Sequence, residues 1–370
     1  MKIPLSAPDI TEAEIEAVVA VLRTSRLSLG PVTEQFEAAI AASVSSPHAI
    51  AVSSGTAGLH LCIRALDIGE GDEVIVPSFT FIAAANAIRY ERAVPVFVDI
   101  DPETLNIDPG RIEDAITPQT RALMVPHTFG VPAEMDAILE IAERRGLRVI
   151  EDACEAIGAE HRGRKAGSMG HAGVFAFYPN KQITTGEGGV VVTRDAAVAR
   201  RIRALRNQGR YPTDDWFQHT ELGYNYRISE INCALGLAQL KRLKEILGKR
   251  EAVACAYNQR LSSFQALTLP RLALPAGRIS WFVYVVRLAA HLDRDAIVRD
   301  LTAAGIGCGR YFAPIHLQPC YAGWRNSADL AVTEAEASRT IALPFFNNIE
   351  TTALDQVCEI LARLLQGQRS

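Results

Sequence analysis

The sequence predicts an α/β protein, with a mixed, mostly parallel seven-stranded sheet in a large domain and a smaller α/β domain after it. Over the first two-thirds of the 370 residues, short apolar runs alternate with helical patterns. Strands that read as continuous apolar runs are typical of a sheet covered by helices on both faces. After Ser229 the pattern changes to a long helical segment and then to further strand and helix patterns. We therefore predict a large domain over residues 1–245, which includes the N-terminal segment, and a small domain over residues 246–370.

Each strand of the predicted sheet is a short apolar run, and the seven runs cover residues 49–52, 74–77, 95–99, 121–126, 148–152, 173–178 and 189–193. Helical patterns separate the earlier runs, at residues 57–66, 80–90 and 134–145. A short stretch rich in turn residues joins the last two strands, so the sheet is predicted to be mixed. The second domain is predicted from a helix over 229–262, a strand over 281–287 and a helix over 293–304.

Composition and charge exclude several classes of protein. The formal net charge is -4, whereas a general nucleic-acid binder needs a basic face to neutralise phosphates. The N-terminus lacks the apolar core of a signal peptide, and no apolar run reaches the length of a membrane span. The seven cysteines are scattered and form no CxxC pair, which favours reduced thiols over a disulfide framework or a zinc site. We expect a cytoplasmic protein without a bound metal that interacts with neither nucleic acid nor membrane.

Ligands of open parallel sheets bind at the carboxyl ends of the strands, so the residues that follow each strand are the candidates for a site. Ser54, Gly55 and Thr56 follow the first strand, where free backbone N–H groups at a helix N-terminus can bind an anion. Ser and Thr are also the usual N-caps, so a plain helix cap is the alternative. Phe81 follows the second strand, where an aromatic ring can lie on a heteroaromatic ligand; a place in the core is the alternative.

Two further strand ends carry charged residues. Glu151 and Asp152 end the fifth strand, and buried carboxylates require cations or hydrogen-bond donors as partners. An aspartate there can meet the protonated nitrogen of a pyridine ring; a helix cap or a metal ligand is the alternative, although no histidine lies at a metal-like spacing. Lys181 lies between an apolar strand and the glycine-rich stretch TTGEGG, where partial burial favours the neutral, nucleophilic amine. The glycines lack the order GxxxxGK[ST] and lead into a strand, so they do not form a P-loop.

Together these strand ends supply the parts that pyridoxal 5'-phosphate (PLP) requires. They offer an anion site for its phosphate, an aromatic ring to stack on it, an aspartate for its ring nitrogen and a lysine for a Schiff base. PLP acts as an electron sink, and the aspartate keeps the pyridine nitrogen protonated. The sequence therefore predicts a PLP enzyme with Lys181 as the covalent anchor of the cofactor.

Longer motifs match a known family. They are SSGTAGL, PSFTFIAAANAI, EDACEAIGA, FYPNKQITTGEGG, LGYNYRISEINCALGLAQL and PIHLQPCY. With them, the chain resembles from about Ile3 to its C-terminal region the DegT/StrS family of nucleotide-sugar aminotransferases, which have the fold type I aminotransferase architecture. The resemblance implies transfer of an amino group from glutamate or glutamine to a ketosugar nucleotide, giving an aminosugar for a surface polysaccharide or a natural product. It also implies a homodimer with active sites at the subunit interface.

The resemblance also assigns roles to single residues. Lys181 would hold the cofactor and move the proton between cofactor and substrate carbons. Asp152 would pair with the ring nitrogen, Phe81 would cover the ring, and residues 54–56 would hold the phosphate. Glu155 occupies a position near the ring oxygen where many members have Gln or His. A glutamate at this position resembles the members that aminate a 4-keto-6-deoxyhexose on GDP.

Three more positions follow from the resemblance, and one position departs from it. Asn225 would reach the phosphate of the neighbouring subunit. Arg227 and His316 resemble family positions near the substrate or the amino-donor carboxylate; a surface arginine and a loop histidine are the alternatives. Many members have a serine whose hydroxyl contacts the phosphate where this chain has Ala176. Asn180 or a water would then replace this contact.

Other activities are alternatives to amino transfer. A ketosugar dehydratase of this fold would have a histidine in place of Lys181, so the lysine favours amino transfer. A cyclitol aminotransferase would share the same motifs. A PLP-binding regulatory protein without turnover is an alternative of another class, which the complete set of cofactor residues disfavours.

Overall fold

The computed structural model describes residues 2–324 and 329–367. Its helices are α1 (Glu12–Leu22), α2 (Pro31–Ser43), α3 (Gly55–Ala65), α4 (Ala83–Tyr90), α5 (Pro109–Ile112), α6 (Met135–Arg145), α7 (Ala196–Arg206), α8 (Glu230–Lys241), α9 (Leu243–Leu261), α10 (Arg294–Ala303), α11 (Ala331–Arg339) and α12 (Thr351–Gly367). Its strands are β1 (His48–Val52), β2 (Glu73–Pro77), β3 (Val94–Val98), β4 (Thr120–Pro126), β5 (Arg148–Asp152), β6 (Glu160–His161), β7 (Arg164–Lys165), β8 (Ala172–Ala176), β9 (Gly189–Thr193), β10 (Leu267–Thr268), β11 (Gly277–Arg278), β12 (Tyr284–Leu288) and β13 (Thr340–Leu343). Across these described residues, no helix combines the length and the apolar character of a membrane span.

Seven strands form one sheet in the order β1–β9–β8–β5–β4–β2–β3. β9 runs antiparallel to both of its neighbours, and the other six strands are parallel to one another. The predicted mixed, mostly parallel sheet is confirmed, and the predicted strands differ from the observed ones by only one or two residues at an end. Val74 and Val76 of β2 join one hydrophobic cluster and Ile75 between them joins another. Burial on both faces therefore explains why these strands are apolar at nearly every position.

The parallel strands bring several loops to one edge of the sheet. Short loops lead from β1 to α3 and from β2 to α4 at this edge, and the chain leaves β4, β5 and β8 at the same edge. Because ligands of open α/β sheets bind where the parallel strands end, this arrangement places the predicted site residues on neighbouring loops.

The predicted helix over 229–262 is two helices, because α8 ends at Lys241 and α9 begins at Leu243. Arg242 lies between them at φ −96° and ψ 3°. Its guanidinium donates hydrogen bonds to Asp9 and Glu14, which lie 233 and 228 residues earlier in the chain. The helix break is thus anchored to the N-terminal segment, a contact that no local pattern indicates.

A second sheet, β10–β12–β13, packs with α9, α10 and α12 around the hydrophobic core of the C-terminal third. The predicted strand at 281–287 corresponds to β12, and the predicted helix at 293–304 corresponds to α10. Ile3 belongs to the same core and forms a β-bridge with Ile306. The predicted boundary at 245 falls inside α9, and the division into two domains stays a prediction; residues 1, 325–328 and 368–370 of those domains lie outside the described residues.

Candidate active site

A cavity of about 320 Å³ opens at the carboxyl edge of the large sheet. Loops after the parallel strands form one wall, and Phe282, Tyr311 and Phe312 form another. A larger groove of about 510 Å³, lined by Arg148 and Arg194 among others, lies at the opposite edge and contains none of the predicted site residues. The wall of the smaller cavity contains seven of the predicted residues: Ser54, Gly55, Thr56, Phe81, Asp152, Glu155 and Lys181.

The N-terminus of α3 forms one end of this cavity. Ser54 is its N-cap, and the hydroxyl accepts a hydrogen bond from the Ala57 N–H at 3.1 Å. The N–H groups of Gly55 and Thr56 have no acceptor within residues 2–324 and 329–367. The helix cap and the anion site are therefore compatible, because the cap uses one donor and leaves two at the positive end of the helix dipole.

The two carboxylates at the end of β5 have different roles, because side chains alternate between the faces of a strand. Glu151 is fully buried, accepts hydrogen bonds from backbone N–H groups within residues 167–170 and lies 2.9 Å from His127 Nε2. Asp152 lines the cavity. Its side chain accepts a hydrogen bond from the Cys154 N–H at 3.2 Å and another from the Cys154 thiol. Because Asp152 lies in the cavity wall, its carboxylate can also accept from a cationic group of a ligand, whereas Glu151 is structural.

Lys181 reaches the cavity from the turn after β8, where its backbone N–H donates to the Tyr178 carbonyl at 2.9 Å. Its Nζ lies 3.4 Å from Glu155 Oε1 and 3.9 Å from the centre of the Phe282 ring. Only 13% of the Lys181 side chain and 12% of the Glu155 side chain are exposed. A carboxylate and an aromatic face can both stabilise a positive charge, so both neighbours can stabilise such a charge on the Lys181 nitrogen.

Burial raises the pKa of Glu155. The Lys181 ammonium opposes this rise, and so does the Phe129 N–H, which donates to Glu155 Oε2 at 2.9 Å, whereas the charge of Asp152 adds to it. The net direction of the pKa shift is upward, so this carboxyl group takes up a proton more readily than a carboxylate in water. A carboxyl group of raised pKa beside an amine can pass a proton to it and take one from it.

The two phenylalanines after β2 have different surroundings. Phe79 is fully buried and packs against Phe129 and Phe312. Phe81 is 57% exposed at the edge of the cavity. Phe79 therefore has the place in the core that was the alternative to a ligand contact. The Phe81 ring is free to cover a planar ligand.

Asn225 and Arg227 lie outside the wall of the cavity. Asn225 is exposed and forms a β-bridge with Asn207. Arg227 donates hydrogen bonds to Asn207 Oδ1 at 2.9 Å and to Gln208 Oε1 at 2.5 Å. Within one chain, neither side chain meets the cofactor residues, and the predicted roles of both stay predictions.

His316 also lies outside the cavity wall. Its Nδ1 is 2.7 Å from Ser78 Oγ, and its Nε2 is 3.1 Å from Glu334 Oε1. Both ring nitrogens are therefore engaged by protein groups, and the predicted contact of His316 with the substrate stays a prediction.

Several residues of the cavity wall are not predictable from the sequence. Phe282, Tyr311 and Phe312 come from the C-terminal third, and only their packing against distant loops brings them to the cavity. The run that contains Phe282 predicts a buried strand, but no local pattern indicates which ring faces a ligand. Cys154 also lines the cavity, where burial and the charge of Asp152 raise the pKa of its thiol, so that it is not a nucleophile.

The residue types around the cavity fit PLP. The cavity holds a primary amine, a carboxylate, two unpaired N–H groups and an aromatic ring with a free face. Asn180 adds a buried Oδ1 that has no hydrogen-bond partner among the described residues. An unsatisfied buried acceptor at a cavity indicates a place for a donor from a ligand. The arrangement can therefore hold a phosphorylated heteroaromatic ring beside the Lys181 amine.

Known proteins resemble this chain over its whole length. Residues 8–362 match the sequence pattern of one family, the DegT/DnrJ/EryC1/StrS aminotransferases. The chain is 42% identical to the GDP-perosamine synthase of Caulobacter vibrioides over 369 residues, which cover 98% of each chain. The aminotransferase TlmJ of Streptoalloteichus hindustanus has 33% identity and a TM-score of 0.94, with 100% of each chain covered. The Streptococcus pneumoniae protein Spr1654, solved in a PLP form, has 26% identity and a TM-score of 0.94, again with 100% of each chain covered. The chain therefore belongs to the DegT/DnrJ/EryC1/StrS aminotransferase family and has its fold type I architecture.

Proposed function

We propose that this aminotransferase uses PLP on Lys181 to transfer an amino group from glutamate to a keto group of a nucleotide-linked 4-keto-6-deoxy sugar. The observation that carries the proposal is the position of the Lys181 amine, which lies in the cavity beside a carboxylate and an aromatic face. Aminotransferases of this family are PLP-dependent, and the 42% identity to a GDP-perosamine synthase supports a nucleotide sugar as the acceptor.

Four groups would hold the cofactor. Asp152 would accept a hydrogen bond from the ring nitrogen, and the unpaired N–H groups of Gly55 and Thr56 would bind the phosphate at the N-terminus of α3. Phe81 would cover one face of the ring. When bound, PLP supplies an electron sink and carries the amino group between donor and acceptor.

Lys181 anchors the cofactor and moves a proton at the substrate carbon. The Glu155 carboxyl group, whose pKa burial raises, lies 3.4 Å from the Lys181 amine and can take up or return its proton. The low exposure of both side chains keeps water from the reacting atoms. Lys181 and Glu155 thus act together as a proton-transfer pair.

The proposed enzyme is a homodimer in which Asn225 contributes to the phosphate site of the second subunit. Asn225 is exposed and lies outside the cavity of its own chain, so it is available to another. Trp216, Phe217 and Leu222 in the preceding loop are large apolar side chains that are largely exposed, as expected of residues that a second subunit covers. Arg227 lies two residues after Asn225 and would approach the substrate from the same segment. His316 would approach it from the C-terminal third.

Absorbance spectra of the purified protein test the amino-transfer step. The wild-type protein with PLP should show a visible band that changes when glutamate is added, because the amino group passes to the cofactor. Addition of a GDP-linked 4-keto-6-deoxy sugar should restore the band. Parallel additions of UDP- and dTDP-linked ketosugars identify the nucleotide.

Lys181→Ala tests the anchor. The variant should lose the band and all turnover, because no other lysine lines the cavity in the described part of the chain. Lys165→Ala is the matched control, since Lys165 pairs with Glu160 outside the cavity wall. Wild-type activity in Lys181→Ala would contradict the proposal, and a wild-type band that ignores glutamate would indicate a PLP-binding protein without turnover.

A further inference from the structure

We propose that Gln182 is a positioning residue that holds the Lys181 amine between the Glu155 carboxylate and the Phe282 ring. The inference deepens the proposed function and rests on it, because Lys181 is the residue that is positioned. Gln182 follows Lys181 directly, is 4% exposed and does not line the cavity. It therefore acts on the reaction only through other residues.

The Gln182 side-chain amide joins two distant parts of the chain. Its Nε2 lies 2.6 Å from the Glu155 carbonyl oxygen, 2.7 Å from the Ser280 carbonyl oxygen and 3.0 Å from Ser280 Oγ. Glu155 and Ser280 are 27 and 98 residues away from Gln182 in sequence. An amide has two N–H donors, so one of them is shared between two acceptors.

Ser280 extends this contact into a buried network. Ser280 is fully buried, its backbone N–H donates to the Gly130 carbonyl at 2.9 Å, and its hydroxyl donates to the Ile157 carbonyl at 2.5 Å. Hydrogen bonds that are joined in one network hold their members more firmly than separate contacts do. The network therefore locks the loop after β5 to the segment that enters β12.

Each group around the Lys181 amine belongs to a segment that Gln182 holds. Lys181 is the neighbour of Gln182 in sequence, and the backbone carbonyl of Glu155 accepts a hydrogen bond from the Gln182 amide. Phe282 follows Ser280, the other residue that Gln182 binds, by two residues. Two distances define the position of the Lys181 amine, 3.4 Å to Glu155 Oε1 and 3.9 Å to the centre of the Phe282 ring. Both distances thus depend on the Gln182 amide. The backbone hydrogen bond from Lys181 to Tyr178 fixes only the turn itself.

Loss of the Gln182 donor should change the protonation behaviour of the Lys181 nitrogen. A cationic nitrogen that moves away from a carboxylate gives up its proton more readily. In Gln182→Met, which keeps the length of the side chain without its donor, the pH midpoint of the cofactor band should therefore move to lower pH. In the cofactor-free protein, acetic anhydride should label Lys181 faster than in the wild type, as measured by mass spectrometry.

Kinetics of the holoenzyme give a second readout. Displacement of a reacting group by a fraction of an ångström to one ångström lowers turnover about 10- to 100-fold, so kcat of Gln182→Met should fall by that factor. KM should stay within about twofold, because Gln182 does not touch the cavity. Ser280→Ala, which removes only the hydroxyl of the network, should shift the band midpoint and kcat in the same directions by smaller amounts.

Gln239→Met is the matched control. Gln239 is also a buried glutamine, at 1% exposure, and its amide bonds to Asp9, Glu14 and the Thr184 N–H rather than to any group that lines the cavity. The control should lower the melting temperature and leave the band midpoint and kcat unchanged. If Gln182→Met and Ser280→Ala also lose only melting temperature, Gln182 is structural and the inference is overturned.

The failure of this inference and the failure of the proposed function give different results. A wild-type protein that forms no band with PLP contradicts the proposed function. A wild-type band that changes with glutamate, together with an unchanged midpoint, unchanged Lys181 labelling and unchanged kcat in both variants, overturns only the role of Gln182.

Discussion

Gly55 begins α3 where the helix packs against the end of β8 and the loop after β5. A Cβ atom at this position would lie 2.7 Å from the Ala176 Cβ and 2.9 Å from the Cys154 Sγ, closer than real Cβ contacts. The lack of a side chain therefore allows the helix N-terminus, with its unpaired N–H groups, to reach the wall of the cavity.

Gly55→Ala should separate α3 from the strand ends. We expect the free energy of unfolding to fall by about 1–3 kcal/mol, as for overpacked core positions, and PLP to dissociate more readily because the phosphate donors are displaced. Urea unfolding and dialysis against PLP-free buffer measure the two effects. Gly248→Ala is the control, because nothing lies within 4 Å of a Cβ at this position of α9, and it should stabilise the protein by about 0.5–1 kcal/mol. Equal stabilities of Gly55→Ala and wild type would contradict the tight contact.

The strand-end residues of the cavity are predictable from sequence, and the residues that surround them are not. Asp152 ends one apolar strand and Lys181 follows another, and the carboxyl ends of both strands meet at one edge, so the topology brings these residues together. Phe282 and Gln182 acquire their roles through contacts with segments about a hundred residues away. Such contacts depend on three-dimensional packing, which leaves no local pattern in the sequence.

At the scale of elements, a buried polar cluster joins α3, the end of α4 and the segment that carries Asn225. Glu91 lies 2.7 Å from His60 Nε2, accepts a hydrogen bond from the Tyr224 hydroxyl at 2.7 Å and pairs with Arg64 at 3.2 Å. Burial lowers the pKa of His60, although Glu91 opposes this effect, so the ring is neutral near neutral pH. The cluster therefore fixes the segment that carries Asn225 beside α3 and α4.

Glu91→Gln should weaken this cluster. A buried carboxylate that loses its charge leaves its hydrogen-bond partners poorly paired, and we expect a loss of about 1–3 kcal/mol in the free energy of unfolding, measured with urea. Glu70→Gln is the control, because Glu70 pairs with Arg92 and both side chains are largely exposed. That exposed pair should contribute less than about 1 kcal/mol. A Glu91→Gln protein no less stable than Glu70→Gln would show that the cluster does not hold these elements together.

Elements of the large sheet were predictable because burial on both faces leaves a continuous apolar run in each strand. The break between α8 and α9 was not predictable, because the sequence around Arg242 favours an uninterrupted helix. Its partners, Asp9 and Glu14, belong to the N-terminal segment. Local propensity therefore describes the strands well and fails where a distant charge sets the end of a helix.

At the scale of the whole molecule, the first residues of the chain connect its two halves. Ile3 forms a bridge with Ile306 in the C-terminal third. Asp9 bonds to Arg242 between α8 and α9, and to Asn347 before α12. The N-terminal segment therefore contacts both parts of the chain that contribute to the wall of the cavity.

Two carboxylates of this N-terminal connection have low pKa values. Burial by itself raises the pKa of Asp9, but hydrogen bonds from Asn347, Lys249 and Arg242 outweigh it and bring the pKa to about 2. For Glu14, burial is likewise outweighed by hydrogen bonds, and its pKa is also about 2. Both groups therefore bind a proton less readily in the folded protein than in the unfolded chain.

Acid should destabilise the molecule through this connection. Above the ordinary pKa values of 3.8 and 4.5, both carboxylates contribute their full stabilisation, which is lost as the pH falls through their folded values of about 2. We expect the free energy of unfolding, from urea titrations, to fall between about pH 5 and pH 2, since the unfolded state binds more protons there. Asp9→Asn should be less stable at neutral pH and show a shallower slope over this range, by up to about one proton. Asp67→Asn, which alters an exposed carboxylate paired with Arg201, should keep the wild-type slope. If Asp9→Asn keeps the wild-type slope as well, Asp9 does not link the stability of the fold to pH.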